Sequence, residues 1–206
     1  MLDTERLALR CWAEASARLG IEFDAGLLPA MIGRSARDSR ALVLDHHGGD
    51  FPIDRLMQAS QEAYDSIVAR EGVAVKPGLA ALLDWLDAVR IPRAVATSTR
   101  RARAEAKLVH AGLLARFAAL VGGDDVARGK PEPDIFLQAA ARLGAAPEEC
   151  VVLEDSDAGV RGALSAGMIP IMVPDVVAPS ADLVARGVLV LPSLAAVQSH
   201  LAALPG

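Results

Sequence analysis

Apolar residues recur at helical spacing over the first third of the chain. Leu9, Trp12 and Ala17 lie on one face of a helix predicted over Glu5–Leu19, for which Thr4 is a plausible N-cap. Ser35 and Asp38 resemble a capping box, although Asp stands where Glu or Gln is preferred, and they open a second helix that stops at residue 48. A third helix is predicted from about residue 53 to 70. No part of this stretch alternates as a strand does, so the pattern predicts an α-helical domain over residues 5–74.

The pattern changes at Pro77 and Gly78, a pair that strongly favours a turn. Short apolar runs then alternate with helical segments. The predicted strands are 94–96, 118–121, 150–153, 169–173 and 188–191. The predicted helices are 79–89, 101–111, 135–143, 158–166, 181–185 and 194–204. Strands that are apolar on both faces and alternate with helices predict an α/β fold, a Rossmann-like doubly wound parallel sheet over residues 77–206.

Composition limits the partners. The 206 residues suit one α/β domain with a small second domain, and 3% aromatic residues argue against base stacking on single-stranded nucleic acid. The net charge of −5 with interspersed signs predicts neither a nucleic-acid nor a membrane partner. There is no apolar run long enough to span a membrane and no signal-peptide pattern at the start. We therefore expect a cytoplasmic protein in which Cys11 and Cys150 are reduced, buried thiols.

Polar residues that are candidates for binding or catalysis follow two of the predicted strands. Thr97 and Ser98 come after the strand at 94–96, and Glu154 and Asp155 after the strand at 150–153. Lys130 lies between them in the segment G-K-P-E-P-D, just ahead of a helix. Because ligands of doubly wound sheets bind beyond the carboxyl ends of the strands, we expect these residues to form one site.

These residue types point to a phosphate and a magnesium ion. Hydroxyl and backbone N–H groups at Thr97 and Ser98 can donate to phosphate oxygens, and Lys130 can neutralise phosphate charge. Glu154 and Asp155 supply the hard oxygen ligands that Mg²⁺ prefers. Taken singly, each group has a structural alternative, namely a helix N-cap, a solvated lysine, and acids that favour the start of a helix. The ordered set is far more specific than any one of its members.

That ordered set, which ends in L-E-D-S-x-A-G, resembles the haloacid dehalogenase superfamily of phosphohydrolases. The resemblance covers essentially the whole chain and is to the branch with a helical cap inserted after the first strand. β-Phosphoglucomutase-like and phosphoglycolate phosphatase-like proteins belong to that branch. It implies a Mg²⁺-dependent hydrolase that acts on a small phosphorylated metabolite, a phosphomonoester, through an aspartyl-phosphate.

The resemblance also implies residue roles. Thr97 matches the hydroxyl residue that binds the transferring phosphoryl group, and Lys130 matches the cation that balances its charge. Glu154 and Asp155 match the acidic motif, with Asp155 the more direct Mg²⁺ ligand of the two. Residues Gly33, Arg34 and Arg37 fall in or beside the cap loop that meets the substrate, and the two arginines are candidates to reach a substrate anion.

The sequence departs from the family at its start. Its first residues, M-L-D-T-E, resemble the tail of the family's first motif, and the preceding strand that ends in D-x-D-G is absent. The missing first aspartate is the family's nucleophile, and the second is its general acid/base. The missing strand is central in the family's sheet, between the strands that precede Thr97 and Asp155. Without it, two inner edges would be left with unpaired N–H and C=O groups.

Three explanations of this departure are open. In the first, which we favour because the downstream pattern is kept, the sequence starts at an internal methionine of a longer protein. Alternatively the chain is truly short and catalytically inactive, or another chain supplies the strand. The functional alternatives are a non-catalytic phosphate-binding protein and a β-phosphoglucomutase-like phosphotransferase. A receiver domain would lack the helical cap, and a dehalogenase would not need a metal, so both rank lower.

Overall fold

A computed structural model describes residues 1–2 and 4–204, so Asp3 of the first-motif tail lies outside the described residues. The chain begins with a helical region, residues 5–71. Its helices are α1 (Glu5–Leu19), α2 (Leu28–Met31), α3 (Ala36–His47) and α4 (Ile53–Glu71). Helices α1 and α4 pack along each other through two apolar clusters, one centred on Cys11 and Tyr64 and the other on Ala15 and Leu56.

The two predicted helix starts differ in outcome. Ser35 caps α3, since its side-chain oxygen accepts from the N–H of Asp38 at 3.2 Å. Thr4 stands at the N-cap position of α1, as predicted, but its side chain makes no capping hydrogen bond. Thr4 has helical backbone angles (φ −98°, ψ −20°) instead of the extended ones that turn a cap side chain toward the first free N–H groups.

Strands and helices alternate after residue 78. The strands are β1 (Ala94–Ala96), β2 (Ala119–Val121), β3 (Val151–Glu154), β4 (Ile169–Met172) and β5 (Leu189–Val190). The helices are α5 (Leu79–Ala88), α6 (Arg101–His110), α7 (Asp134–Leu143), α8 (Asp157–Ser165), α9 (Ala181–Ala185) and α10 (Leu194–Ala202). Each predicted strand and helix of this region is found, with ends within two residues of the prediction. The sequence did not predict α2 or the single 3₁₀ turns at Ala25–Leu27, Leu114–Arg116 and Pro147–Glu149.

All strand pairs are parallel, which confirms the α/β fold class. The strands form two sheets, β2–β1 and β3–β4–β5. Ala94 pairs with Ala119 in the first sheet, and Val151 with Ile169 in the second. Within the described residues, no strand joins β1 to β3, so the sheet is divided where the sequence analysis placed the missing central strand.

Helices cover both faces of the divided sheet and hold its halves together. On one face, Leu82 of α5 and Val197 of α10 share a cluster with Val95 of β1 and Ile171 of β4. On the other face, residues of α7 and α8 form a cluster that Val152 of β3 joins. The division therefore lies between two apolar helix layers.

Strand β3 differs from the prediction that it is buried on both faces. Val151 and Leu153, which share one face of β3, are 41% and 36% exposed, whereas Val152 on the other face joins the cluster of α7 and α8. The prediction that both thiols are buried is wrong for one of them, Cys150. Cys11 is buried, whereas Cys150, just before β3, is only partly buried, and both thiols are free.

Two neighbouring segments connect the helical region to the sheet. Leu2 and Val75 form an antiparallel bridge, and the N–H of Lys76 donates to the carbonyl oxygen of Met1 at 2.9 Å. The division into domains 5–74 and 77–206 remains a prediction. None of the described helices combines the length and apolar character needed to span a bilayer.

Candidate active site

The end of β1 places Thr97 and Ser98 at the carboxyl edge of the sheet. The N–H of Thr97 donates to the carbonyl of Val121 on β2 at 3.0 Å, which continues the strand pairing by one residue. The Thr97 hydroxyl oxygen accepts from the N–H of Thr99 at 3.2 Å, so its own proton can be donated outward. Helix α6 starts later, with Arg100 at its N-cap position, so Thr97 and Ser98 do not cap it.

Lys130 joins the ends of β1 and β3. Its ammonium donates to the carbonyl oxygen of Ala96 at 3.2 Å and to the carboxylate of Glu154, and it lies 4.9 Å from the ring centre of Phe136. The side chain is 6% exposed, which excludes the alternative of a solvated lysine. A cation is thus held next to Thr97, inside the fold.

Glu154 is held from two further sides. Its second oxygen accepts from the hydroxyl of Ser156 at 3.1 Å. Gly159 lies so close that an added Cβ would come within 2.1 Å of the Glu154 carboxyl carbon, which explains a glycine at that place. The geometry makes Glu154 the partner that orients Lys130.

Asp155 is partly buried just after the end of β3, and its pKa is raised. Burial is the main cause, because it disfavours the charged carboxylate, and the nearby carboxylates of Glu154 and Asp175 act in the same direction. The amino-terminal ammonium of Met1 and the ammonium of Lys130 oppose the shift. A partly buried carboxylate among other acids is a place where an added cation would be stabilised.

Asp175 was not predicted. It follows β4 at the same edge, forms an ion pair with Lys76, and lies 3.9 Å from the guanidinium Nε of Arg6 on α1. The rule that selected Glu154 and Asp155, polar residues just beyond a strand, would also have selected this carboxylate. It connects the carboxyl edge of the sheet with the segments that lead to the helical region.

The loop after α2 is seated on this edge. The hydroxyl of Ser98 donates to the carbonyl oxygen of Gly33 at 2.6 Å. Gly33 has φ of +78°, and a Cβ there would come within 2.2 Å of the Ser156 hydroxyl. The close approach of the loop therefore requires glycine, both for its backbone angle and for its missing side chain.

The predicted cap arginines are less closely placed. Arg34 and Arg37 are exposed, and the Nε of Arg34 donates to the carbonyl of Ala30 in its own segment at 2.8 Å. Both line the same cavity as Thr97, Lys130 and Asp155. The structure thus brings Thr97, Lys130, Glu154 and Asp155 together and leaves the two arginines at the cavity's rim.

The donor set fits one divalent cation with few protein ligands. Among the described residues, no group of three or more His, Cys, Asp or Glu side chains is arranged to hold a metal. Glu154 is engaged by Lys130 and Ser156, which leaves Asp155 as the carboxylate available to a cation. Mg²⁺ commonly binds through one or two carboxylates, with substrate oxygens and water as its other ligands, so these residues fit Mg²⁺.

The family model and the similar proteins all indicate the same family. Residues 1–167 match the model of the haloacid dehalogenase-like hydrolase family. The chain is 47% identical over 169 residues to hexitol phosphatase A of Escherichia coli, covering 81% of this chain and 75% of that protein. It is 34% identical over 168 residues to the fructose-1-phosphate phosphatase YqaB of the same species, covering 82% of this chain and 88% of the relative.

A solved structure supports the same relationship. The CbbY protein of Rhodobacter sphaeroides, crystallised in complex with phosphate, superposes with a TM-score of 0.78 at 30% sequence identity. The match covers 95% of this chain and 90% of that one.

Proposed function

The chain belongs to the haloacid dehalogenase-like hydrolases, and from that premise we propose that it is the main part of a Mg²⁺-dependent phosphatase for a small sugar phosphate. The observation that carries the proposal is the buried Lys130 ammonium, held between the ends of β1 and β3 beside Thr97 and Asp155. A fixed cation, a hydroxyl donor and a partly buried carboxylate at one edge suit a transferring phosphoryl group. The two named phosphatase relatives act on sugar phosphates by their names, which supports this substrate class.

Each side chain has a role in this proposal. The Thr97 hydroxyl donates to a phosphate oxygen, since its oxygen already accepts from Thr99. Lys130 lowers the negative charge around the phosphate, and Glu154 keeps the ammonium in place. Ser98 would have to release the carbonyl of Gly33 before its hydroxyl could donate to a phosphate. Asp155 would hold Mg²⁺, which when bound neutralises charge on the phosphate.

The nucleophile is the part that this sequence does not contain. In the proposed reaction, a carboxylate oxygen forms a bond to phosphorus while the bond to the sugar oxygen breaks and that oxygen takes a proton. Water then hydrolyses the aspartyl-phosphate and releases inorganic phosphate. The attacking carboxylate and the proton donor correspond to the two aspartates of D-x-D-G, a sequence absent from these 206 residues.

The helical region would act as the cap. Its loop at Gly33 is hydrogen-bonded to Ser98 and packed on Ser156, so it covers the carboxyl edge of the sheet. A cover in this position would exclude bulk water during phosphoryl transfer. The cytoplasmic location expected from the sequence remains a prediction.

The test uses the chain lengthened at Met1 by an apolar strand that ends in D-x-D-G. We expect release of inorganic phosphate from fructose 1-phosphate or a hexitol phosphate with Mg²⁺, and none with a chelator. Asp155→Asn should lower the rate at least about a hundredfold, while Asp50→Asn, an exposed carboxylate outside the cavity, should not change it. Unchanged activity of Asp155→Asn would remove the proposed role, and an isomerised sugar phosphate in place of free phosphate would indicate a mutase.

A second candidate is a phosphate-binding protein without turnover. The missing nucleophile favours it for the 206-residue chain itself. Calorimetry with inorganic phosphate and Mg²⁺ should then show binding that Lys130→Met weakens. Turnover by the 206-residue chain would exclude this candidate.

A further inference from the structure

The chain has three lysines, and two of them form ion pairs with carboxylates. Lys76 pairs with Asp175, and Lys130 pairs with Glu154. An ion pair of this kind favours the charged ammonium over the neutral amine. Lys107 differs from both, because no carboxylate in the described part of the chain lies within ion-pair distance of its ammonium.

Lys107 lies where helix α6 of the sheet region faces helix α4 of the helical region. Its side-chain nitrogen is 4.5 Å from the ring centre of Tyr64, which covers one side of it. The Lys107 side chain is only partly buried, and both residues line the same cavity as Thr97 and Lys130. A small molecule in that cavity can therefore reach the Lys107 amine.

The groups around Lys107 make this part of the cavity positive. Arg103 lies one turn earlier on α6 and lines the cavity as well, so two cations face it. Asp65 of α4 pairs with Arg103 at 2.6 Å and balances one of the two charges. The hydroxyl of Tyr64 is buried and has no hydrogen-bond partner among the described groups, although buried polar groups are normally paired. The place therefore suits a molecule that brings an anionic group and a hydrogen-bond acceptor.

The same surroundings make the amine available for reaction. Burial lowers the pKa of Lys107 to about 8, with repulsion from Arg103 in the same direction and attraction to Asp65 opposed. At pH 7.5 about a quarter of such amines are neutral, against about one in a thousand at the usual lysine pKa. Tyr64 and Cys11, which share a cluster between α4 and α1, have raised pKa values and keep their protons at this pH. The neutral amine is the form that adds to a carbonyl carbon.

We propose that Lys107 is a covalent binding site for an aldehyde that carries a phosphate, which it holds between α4 and α6 as an imine. The amine nitrogen forms a bond to the carbonyl carbon, while the carbonyl oxygen takes up a proton and the nitrogen gives one up. The resulting hydroxyl group leaves as water with the second proton of the nitrogen, and the carbon–nitrogen double bond forms. The step needs no oxidant or reductant. Arg103 attracts the phosphate throughout.

This site is distinct from the proposed phosphate site at Thr97. Arg100 stands at the N-cap of α6, close after Thr97, and Lys107 is seven residues further on, which is about 10 Å along the helix. The inference therefore holds whether or not the chain is part of a phosphatase. Open-chain aldose phosphates are among the molecules with the required chemistry.

The test treats the 206-residue chain with pyridoxal 5′-phosphate, an aldehyde that carries a phosphate. Borohydride then reduces the imines, and peptide mass spectrometry gives the rate of modification at each lysine. At pH 7.5 we expect Lys107 to be modified at least about tenfold faster than Lys76 and Lys130. The rate at Lys107 should rise with a midpoint near pH 8, whereas the rate for free lysine measured in parallel should rise at higher pH.

Two comparisons test the phosphate and the place of binding. Pyridoxal, which lacks the phosphate, should modify Lys107 several times more slowly. Arg103→Gln should remove this difference between the two aldehydes, whereas Arg186→Gln, at an exposed position, should keep it. Thr97→Val, which removes the hydroxyl of the proposed phosphate site, should leave the modification of Lys107 unchanged.

Three results would count against the proposal. Equal rates at the three lysines would overturn it outright. Equal rates at Lys107 with pyridoxal and pyridoxal 5′-phosphate would show a reactive amine that does not select a phosphate, and would overturn the class of ligand. Loss of the modification in Thr97→Val would show that the aldehyde is held at the Thr97 site instead of between α4 and α6.

Discussion

At the scale of single residues, the site depends on a pair of charges that has been removed from water. The side chains of Lys130 and Glu154 are 6% and 8% exposed, and each has an additional partner, Ala96 for the ammonium and Ser156 for the carboxylate. A buried pair contributes little net stability, because desolvation of both charges offsets their attraction. Removing one partner is costly, since the other charge is then buried alone.

This asymmetry gives a stability prediction for Lys130. We expect Lys130→Met to lower the free energy of unfolding by roughly 3–5 kcal/mol, and Lys130→Met with Glu154→Gln to recover much of that loss. Urea unfolding followed by circular dichroism measures both. Arg40→Ala is the matched control, because its pair with Asp54 is exposed and should give no measurable change. A similarly small effect of Lys130→Met would show that its charge is solvated.

At the scale of elements, loops bring the site together. The loop after α2 approaches the segment after β3 closely at Gly33, and Ser98 after β1 bonds the same loop. The elements themselves were predictable, because periodicity and glycine stops are local signals. The four-residue helix α2 escaped prediction because it is about one turn long and has no repeating apolar pattern.

Two glycines allow the seating of this loop to be tested. Gly33 and Gly20 both have positive φ, +78° and +62°, but only Gly33 has neighbouring atoms within 4 Å of an added Cβ. Both alanine variants should lose about 1 kcal/mol for the backbone angle. We expect Gly33→Ala to lose at least about 1 kcal/mol more, and to increase amide exchange at residues 33–36, as the loop moves off Ser156. Equal losses in urea unfolding would contradict the close packing of this loop.

At the scale of the whole molecule, the helical region and the sheet region also meet along α4 and α6. Arg103 forms an ion pair with Asp65 at 2.6 Å, and the Lys107 ammonium lies 4.5 Å from the ring centre of Tyr64. Burial lowers the pKa of Lys107 to about 8, with repulsion from Arg103 in the same direction and attraction to Asp65 opposed. The interface therefore holds a lysine whose charge is disfavoured by folding.

That shift predicts a pH dependence of stability. Between about pH 8 and 10.5 the unfolded chain binds more protons at Lys107 than the folded chain, so stability rises with pH in this window. From pH 7 to pH 9 the free energy of unfolding should rise by about 1 kcal/mol more in the parent chain than in Lys107→Met. Urea unfolding of both proteins at the two pH values measures this difference. The pKa values of Tyr64 and Cys11 are also raised, but their effect is common to both proteins and cancels in the comparison. Arg186→Met, at an exposed position, is the control and should leave the pH dependence of stability unchanged. If the stability of Lys107→Met changed with pH as much as that of the parent chain, the lowered pKa of Lys107 would be refuted.

The sequence by itself determined the fold class, the order of elements and the identity of Thr97, Lys130 and Asp155 as the candidate group. These follow from signals along the chain: apolar periodicity, turn residues, and polar residues placed just beyond strands. The division of the sheet between β1 and β3 was also predictable, because the strand that the family resemblance places there carries a motif that these residues lack.

Only the tertiary structure decided how that group is arranged. Lys130 and Glu154 are 24 residues apart, and Ser98 and Gly33 are 65 apart, so their contacts depend on how helices and strands pack. Packing also decided that Asp155 is partly buried close to Glu154 and Asp175, which raises its pKa, because desolvation and charge repulsion act through space. The exposure of Val151 and Leu153 has the same origin: burial of a strand's face depends on what packs against it, and an apolar run does not specify that.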